Sequence, residues 1–179
     1  MDTCEISIRT MKEGGLLRAT LSSKKPLVTL DYEIGLAGSY MTIQKIRFED
    51  RLLFHVECPE ELGKALILPL TIQPLLENAI RYGMEEMMDT CEISIRTMKE
   101  GGLLIVEVSN EGSVFEDGLL EKLQDGTKNA HGFGIGLVNI HQRIQMLFGE
   151  AYGLSFKNEN EKAIAIITIP YKTEEDDYA

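Results

Sequence analysis

The segment that decides the fold reads Gln73-Pro74-Leu75-Leu76-Glu77-Asn78-Ala79-Ile80-Arg81-Tyr82-Gly83. At about 100 degrees per residue, its aliphatic side chains fall on one face of a helix, whereas Glu77, Asn78 and Arg81 fall on the opposite face. Tyr82 lies at the border between the two. The proline suits the first turn of such a helix, and the closing glycine suits its C-terminal end. The segment therefore predicts an amphipathic helix over residues 73–83.

The polar face of this helix carries groups that suit a metal-bound phosphate. It presents a carboxylate, a carboxamide, a guanidinium and a phenol on adjacent turns. Mg²⁺ prefers oxygen ligands and keeps several waters, so the carboxamide oxygen of Asn78 is a suitable ligand for it. The alternative interpretation is an ordinary surface helix with a solvated polar side, because short motifs also arise by chance.

A second segment, His131-Gly132-Phe133-Gly134-Ile135-Gly136-Leu137, places glycine at every second position. This spacing lets the backbone approach a phosphate closely, and a helix that follows points free N–H groups and its positive dipole end at the anion. We predict that helix over residues 136–148, with a buried stripe made of Leu137, Ile140, Ile144, Leu147 and Phe148. A flexible turn is the alternative, and the segment lacks the Gly-Lys-Ser/Thr ending of a P-loop.

The rest of the chain predicts a mixed α/β architecture. Apolar residues at helical spacing predict a helix from residue 30, after the capping residue Thr29, to about residue 49. Residues 110–132 are predicted to be a loop, and His55 and His141 are predicted to lie on the surface. Period-two alternation predicts strands over residues 52–58, 91–96, 103–108, 153–158 and 163–170. Hairpins beside helices favour an α/β (α+β) two-layer sandwich, in which a mixed sheet has its helices packed on one face.

The two motif segments together resemble the N box and G2 box of the GHKL (Bergerat) ATP-binding fold. Gyrase-type ATPases, a class of heat-shock chaperones, MutL and histidine kinases share this fold. The sequence is most similar to LytS/YesM-type sensor histidine kinases, whose preceding signature stands here as Tyr40-Met41-Thr42-Ile43-Gln44-Lys45-Ile46-Arg47-Phe48. That segment disfavours a serine-kinase anti-sigma factor, and the chain has no room for the transducer region of a gyrase-like or chaperone-like ATPase.

The resemblance implies a histidine-kinase-like ATPase domain over residues 18–171, with ATP and Mg²⁺ as cofactors. It makes Asn78 the Mg²⁺ ligand and Glu77 the catalytic general base. It also implies that Arg81 and Tyr82 contact the nucleotide from the same helix.

The glycine-rich segment has its own implied role. By the same resemblance, Gly132, Gly134 and Gly136 cradle the triphosphate, with Leu137 beside them in the nucleotide site. The loop over residues 113–131 is implied to be the ATP lid.

The family's G1 box, Asp-x-Gly-x-Gly, aligns with Asn110-Glu111-Gly112-Ser113-Val114. Asn110 and Gly112 are therefore implied to bind the nucleotide. Asn110 keeps an acceptor oxygen for the adenine amino group but lacks the charge of aspartate, and Val114 replaces a glycine that takes positive φ easily. These departures leave an alternative function open: a degenerate GHKL module with weak or no nucleotide binding that acts as a scaffold or dimerisation element.

The phosphoacceptor histidine of the family stands in a Pro-His-Phe context, which none of His55, His131 and His141 has. The resemblance therefore implies a fragment of a histidine protein kinase that transfers the γ-phosphate to a histidine outside this chain. Its implied partners are the phosphoacceptor-histidine region of a parent kinase and a response regulator. The parent is implied to be anchored in the membrane, with this part in the cytoplasm and not touching the membrane.

Composition and charge limit the remaining classes of function. The 179 residues include 18 Lys plus Arg and 29 Asp plus Glu, a net charge of −11. Such a surface repels a phosphate backbone, so no nucleic-acid partner is expected. No stretch approaches the roughly 18 consecutive apolar residues of a membrane span, which again predicts a cytoplasmic location. The three cysteines have no CxxC spacing, so neither a zinc site nor a disulfide scaffold is expected.

Residues 1–17 recur letter for letter as residues 88–104. The second copy shows the alternation of a half-buried strand and turns at Gly101-Gly102 into a partner strand, whereas the first copy stops just past that turn. We interpret the first copy as an artefact or as an extra or exchanged strand, which could join two chains in a homodimer. Residues 172–179 are predicted to be a solvated acidic tail.

Overall fold

A computed structural model describes residues 27–85, 90–124 and 134–174. The first copy of the duplicated sequence, Gly132 and residues 175–179 of the acidic tail lie outside this described part. In chain order, the helices and strands are β1 (Val28–Thr29), α1 (Leu30–Phe48), β2 (Leu52–Glu57), β3 (Leu66–Ile67), α2 (Gln73–Ile80), β4 (Cys91–Glu100), β5 (Leu103–Glu111), α3 (Leu119–Gln124), α4 (Gly134–Phe148), β6 (Gly153–Glu159) and β7 (Lys162–Pro170).

Five strands form one sheet in the order β2-β4-β5-β7-β6. Strand β2 pairs in parallel with β4, and all other neighbouring strands pair antiparallel, so the sheet is mixed as predicted. Gly101 and Gly102 connect β4 to β5 with φ values of 54° and 82°, the left-handed conformation that a two-residue turn of this type requires. Strands β1 and β3 form a separate antiparallel pair that the sequence did not predict.

The helices pack on one face of the sheet. In β4, Cys91, Ile93 and Ile95 are buried, whereas Arg96 on the alternate face is exposed. The large, fully buried side chains come from both layers and include Leu30, Met41, Leu52, Leu75, Leu76, Ile93, Ile95, Leu104 and Ile144. The open face of the sheet carries ion pairs instead, such as Lys162 with Glu92 at 3.0 Å. The predicted two-layer sandwich is thus confirmed.

Helix α1 begins where the sequence predicts. The Oγ1 atom of Thr29 accepts a hydrogen bond from the Tyr32 N–H at 3.3 Å, as an N-cap side chain does. The helix ends at Phe48. Among the described residues, no helix has both the length and the apolar character needed to cross a bilayer.

Two predicted boundaries were wrong. The stretch predicted as a loop over residues 110–132 starts inside β5, which runs to Glu111, and contains the short helix α3. Six residues of helix are too few to show a clear period, which is why pattern reasoning missed α3. Helix α4 begins at Gly134 rather than at residue 136, because the glycines are part of its first turn. The predicted buried stripe of α4 was wrong at Leu147, which is 43% exposed because it lies in the last turn of the helix, at the edge of the stripe.

Candidate functional site

Helix α2 places the predicted polar groups beside a buried aliphatic face. Leu75, Leu76, Ala79 and Ile80 are buried as predicted. Glu77 is half-buried, and its Oε1 atom accepts a hydrogen bond from Gln73 Nε2 at 2.9 Å, one turn earlier. This contact holds the carboxylate along the helix.

Asn78 is only 3% exposed, although the pattern places it opposite the aliphatic face. Its carboxamide oxygen is a neutral acceptor that can also serve as a ligand. Asn78 therefore fits an oxygen-preferring cation such as Mg²⁺.

Arg81 and Tyr82 follow α2 in a π-helical turn, Arg81–Glu85. Arg81 is exposed and Tyr82 is half-buried, and the guanidinium lies 5.9 Å from the centre of the tyrosine ring. This distance is within the range of a cation–π contact. Both side chains thus stand at the open end of the helix, where an anionic ligand can approach the arginine.

Gly83 does not end the helix, so its predicted role was wrong. A Cβ atom at this position would lie 2.6 Å from Cys91 Sγ and 3.2 Å from Asn110 Nδ2. Glycine is needed because the π-helical turn packs directly against the start of β4 and the end of β5. This close approach brings the motif on α2 next to Asn110.

Asn110 is buried at the end of β5, and its Nδ2 atom donates to Ser113 Oγ at 2.7 Å and to the Glu111 carbonyl at 3.0 Å. These bonds use its amide hydrogens within the turn, so the Oδ1 atom is the acceptor it can offer a base. Gly112 has φ of 78°, which the turn requires. Val114 is 73% exposed and is not among the residues with positive φ, so the valine does not strain the turn.

The glycine-rich helix starts beside α2. A Cβ atom at Gly136 would lie 3.9 Å from Pro74 Cβ, an ordinary contact between the first turns of the two helices. Gly134 is the first residue of α4, and Leu137 is buried in the core beneath it. The structure thus brings together α2, the end of β5 and the N-terminus of α4.

The first residues of the predicted lid are attached to the last hairpin. Asn158 Oδ1 accepts the Phe115 N–H and Asn158 Nδ2 donates to the Phe115 carbonyl, both at 2.8 Å. The ring of Phe115 also packs on Phe156, with the centroids 4.8 Å apart. The predicted lid therefore has a fixed starting point, while its residues 125–131 lie outside the described part of the chain.

His141 was predicted to lie on the surface, and this was wrong. It is 8% exposed, and its Nδ1 atom accepts a hydrogen bond from the Leu154 N–H at 3.0 Å. Burial lowers the pKa of this imidazole below its ordinary value. His55, in contrast, is exposed as predicted.

Sequence reasoning also missed Glu33 and Arg143, which hold the loop before α2. Glu33 is 1% exposed and accepts three backbone N–H groups of that loop, and Arg143 donates to the Pro69 carbonyl. One signal was present: Glu33 follows Leu30 by three residues and precedes Ala37 by four, so a carboxylate stands in the apolar stripe of α1.

Comparison with known sequence families identifies two matching regions. The profile described as histidine kinase-, DNA gyrase B- and HSP90-like ATPase matches residues 63–173, more than half of the chain. A profile described as histidine kinase matches residues 6–52. The second match includes most of the first copy of the duplicated sequence.

Two curated relatives are sensor histidine kinases. The chain is 40% identical over 171 residues to the sensor histidine kinase YesM of Bacillus subtilis (strain 168), covering 95% of this chain and 28% of that protein. It is 30% identical over 158 residues to the sensor histidine kinase BtsS of Escherichia coli (strain K12), covering 88% and 26%. The chain thus spans about a quarter of the length of these relatives.

Solved structures share the fold. The nucleotide-free catalytic domain of histidine kinase ThkA matches with a TM-score of 0.62 and 18% identity, over 80% of this chain and 93% of that one. ThkA in complex with the response regulator protein TrrA matches with a TM-score of 0.59 and 19% identity, over 87% and 46%. This likeness confirms the predicted ATP-binding sandwich as a fold.

Proposed function

This chain belongs to the family of histidine kinase-, DNA gyrase B- and HSP90-like ATPases, and from that premise we propose that it is the ATP-binding catalytic domain of a sensor histidine kinase. The observation that carries the proposal is the position of Asn78, a buried residue on a helix that, with the turn after it, packs against both Asn110 and the start of α4. The sensor histidine kinases YesM and BtsS favour a kinase over a scaffold module.

Each side chain of the proposed site has a distinct task. When bound, Mg-ATP supplies the transferable phosphoryl group, and the ion offsets its negative charge. Asn78 would hold the ion through its amide oxygen, and Glu77 would act as the general base. Arg81 and Tyr82 would contact the nucleotide from the open end of α2.

The start of α4 and the end of β5 supply the rest of the proposed site. The glycines Gly132, Gly134 and Gly136 would let the N-terminus of α4 approach the triphosphate, since that end presents free N–H groups and positive dipole charge. Leu137 would support this turn from the core side. At the other end, Asn110 Oδ1 would accept the adenine amino hydrogen, in the turn that Gly112 makes possible.

The reaction proposed for the parent protein is in-line transfer of the γ-phosphate to a histidine outside this chain. The partners are then the phosphoacceptor-histidine region of the parent kinase and a response regulator. ThkA, whose catalytic domain shares the fold, has been solved with a response regulator protein. The domain would work in the cytoplasm, where ATP is available.

Calorimetric titration of the intact chain with Mg-ADP tests the proposal. We expect measurable binding, and we expect Asn78→Ala to weaken it by at least about tenfold, or roughly 1.4 kcal/mol. Ser155→Ala is a matched control, because Ser155 is exposed on β6. No detectable heat at millimolar Mg-ADP, from a chain that unfolds cooperatively, would refute the proposed function.

A further inference from the structure

The loop over residues 68–72 leads directly into α2, and one carboxylate accepts three of its backbone N–H groups. Glu33 Oε1 accepts the Leu70 N–H at 2.8 Å, and Glu33 Oε2 accepts the Thr71 and Ile72 N–H groups at 3.0 and 3.2 Å. Ile72 is the N-cap residue of α2, and its side chain makes no capping hydrogen bond. Glu33, which belongs to α1, thus holds the three residues that lead into α2.

Glu33 is buried, so its carboxylate depends on these three hydrogen bonds. Glu33 is 1% exposed and stands among the apolar residues of α1 that face the core. A buried carboxylate is strongly unfavourable unless hydrogen bonds satisfy it, and here three backbone N–H groups supply those bonds. The residues of α1 and the loop are 37 to 39 positions apart in the chain, so only the fold creates this contact.

Arg143 of α4 holds the same loop from another side. Its Nη2 atom donates to the Pro69 carbonyl at 3.0 Å. Between the two contacts, Leu70 has φ of 56°, a conformation that is unfavourable for a residue with a side chain. Such a conformation persists only where surrounding contacts determine it, and here Glu33 and Arg143 supply them.

We propose that Glu33 and Arg143 are positioning residues for the nucleotide site: together they fix the start of α2, and hence Asn78, relative to the glycine-rich start of α4. This inference rests on the proposed function, because it assigns the two residues a role at the same site. Neither residue touches the nucleotide. Their effect is to hold the two helix N-termini, which meet at Pro74 and Gly136, in the relative position that the ligand requires.

Nucleotide affinity of folded variants tests this role. Glu33→Gln keeps the shape of the side chain but offers one acceptor oxygen in place of two, so we expect Mg-ADP to bind about tenfold more weakly, at a temperature where circular dichroism shows the variant fully folded. Glu49→Gln is the matched control, since Glu49 is an exposed acid directly after α1. Parental affinity in folded Glu33→Gln would overturn the inference.

Arg143 provides a second variant that leaves the core intact, because its side chain is exposed. We expect Arg143→Met to weaken Mg-ADP binding and Arg143→Lys, which keeps a donor, to restore part of it. A purely structural role would lower the unfolding temperature of both without this difference in affinity. Equal affinities for Arg143→Met and the parent would count against the inference.

Amide hydrogen exchange without nucleotide gives a readout that does not depend on binding. In Glu33→Gln we expect faster exchange at Leu70, Thr71 and Ile72, and unchanged exchange in β4 and β5. Unchanged exchange at the three amides would refute the contact itself. If the parent chain fails to bind Mg-ADP, the proposed function fails, and this outcome is distinct from a parent that binds and a Glu33→Gln variant that binds equally well.

Discussion

Asn110 has an amide NH₂ group where aspartate has a second carboxylate oxygen. This difference sets the strength of the hydrogen bond that the side chain can accept from a base. Its amide hydrogens are used by Ser113 Oγ and the Glu111 carbonyl, at 2.7 and 3.0 Å. Its carboxamide oxygen is a neutral acceptor, and hydrogen bonds to a charged carboxylate are roughly twice as strong. The residue thus combines a rigid turn with a weak acceptor.

Replacing Asn110 by aspartate should tighten nucleotide binding and weaken the turn. We expect Asn110→Asp to raise the affinity for Mg-ADP several-fold and to lower the free energy of unfolding by about 1 kcal/mol, because the new carboxylate faces the Glu111 carbonyl. Val114→Gly is the matched control in the same turn. Since Val114 is exposed and lacks positive φ, this variant should bind like the parent. Calorimetry and thermal unfolding measure both effects, and weaker binding by Asn110→Asp would contradict the acceptor role.

His141 links α4 to β6 in its neutral form, because its Nδ1 atom accepts the Leu154 N–H. Burial lowers the pKa of this imidazole in the folded state, whereas the unfolded chain has a pKa near 6.5. Between these two pKa values the unfolded state binds more protons than the folded state. The contribution of His141 to stability is therefore lost as the pH falls below about 6.5 and does not change above it.

Urea unfolding at about pH 7.5 and pH 5.5 tests the role of His141. The parent should be less stable at the lower pH, and His141→Gln should lose part of that dependence because its side chain does not titrate. His55→Gln, in which an exposed histidine is replaced, serves as the control. An identical pH dependence in the parent and His141→Gln would show that His141 does not contribute.

At the scale of elements, the two hairpins use the same turn with different residues. The β4–β5 hairpin has glycine at both turn positions, whereas the β6–β7 hairpin has Asn160 and Glu161 with φ of 51° and 63°. Asparagine tolerates this conformation, but glutamate does not do so readily, since left-handed backbone costs most side chains roughly 1 kcal/mol. Strand pairing on both sides of the turn holds Glu161 in place.

Replacing Glu161 by glycine should therefore stabilise the last hairpin. Asn-Gly is the preferred pair for a two-residue turn with positive φ at both positions. We expect Glu161→Gly to raise the free energy of unfolding by about 1 kcal/mol and the unfolding temperature by about 2–4 °C. Glu161→Ala, which removes the charge and keeps a Cβ atom, should give no such increase in calorimetry. Equal effects of the two variants would assign the gain to charge.

At the scale of the whole molecule, the first copy of the duplicated sequence has two candidate places in the sheet: the position of β4 and the edge beside β2. The second copy contains β4, which pairs with β2 on one side and β5 on the other. It reaches β5 through a two-residue turn, whereas the first copy could do so only by closing a far longer loop at greater entropic cost. We propose that the first copy acts between molecules, because β2 is an edge strand of the sheet formed by the described residues and β4, its partner there, has the same sequence as the first copy.

Removing residues 1–17 tests this proposal. We expect the intact chain to form a dimer whose fraction rises with concentration and the shortened chain to be a monomer, as measured by light scattering after size-exclusion chromatography. Both should unfold at the same temperature when dilute, since the second copy supplies β4 in each. Equal masses at all concentrations would contradict a role of the first copy in assembly.

The sequence pattern predicted the structure correctly wherever residues that are close in the chain determine it. Thr29 as a cap, the alternation along β4 and the apolar face of α2 follow from helical and strand periods, and each is present in the structure. The segments over residues 73–83 and 131–137 together also carried the resemblance to the GHKL fold, because the residues of each motif are contiguous in the chain.

Only the tertiary structure decided what distant residues do to one another. The contact of Glu33 with the loop before α2, the burial of His141 against β6 and the packing of Gly83 on Asn110 each join positions that local periodicity does not relate. A period shows which face of an element is buried, but it does not show which partner the other element brings to that face. The motif residues were therefore readable from the chain, whereas the contacts that position them exist only after the two layers have packed.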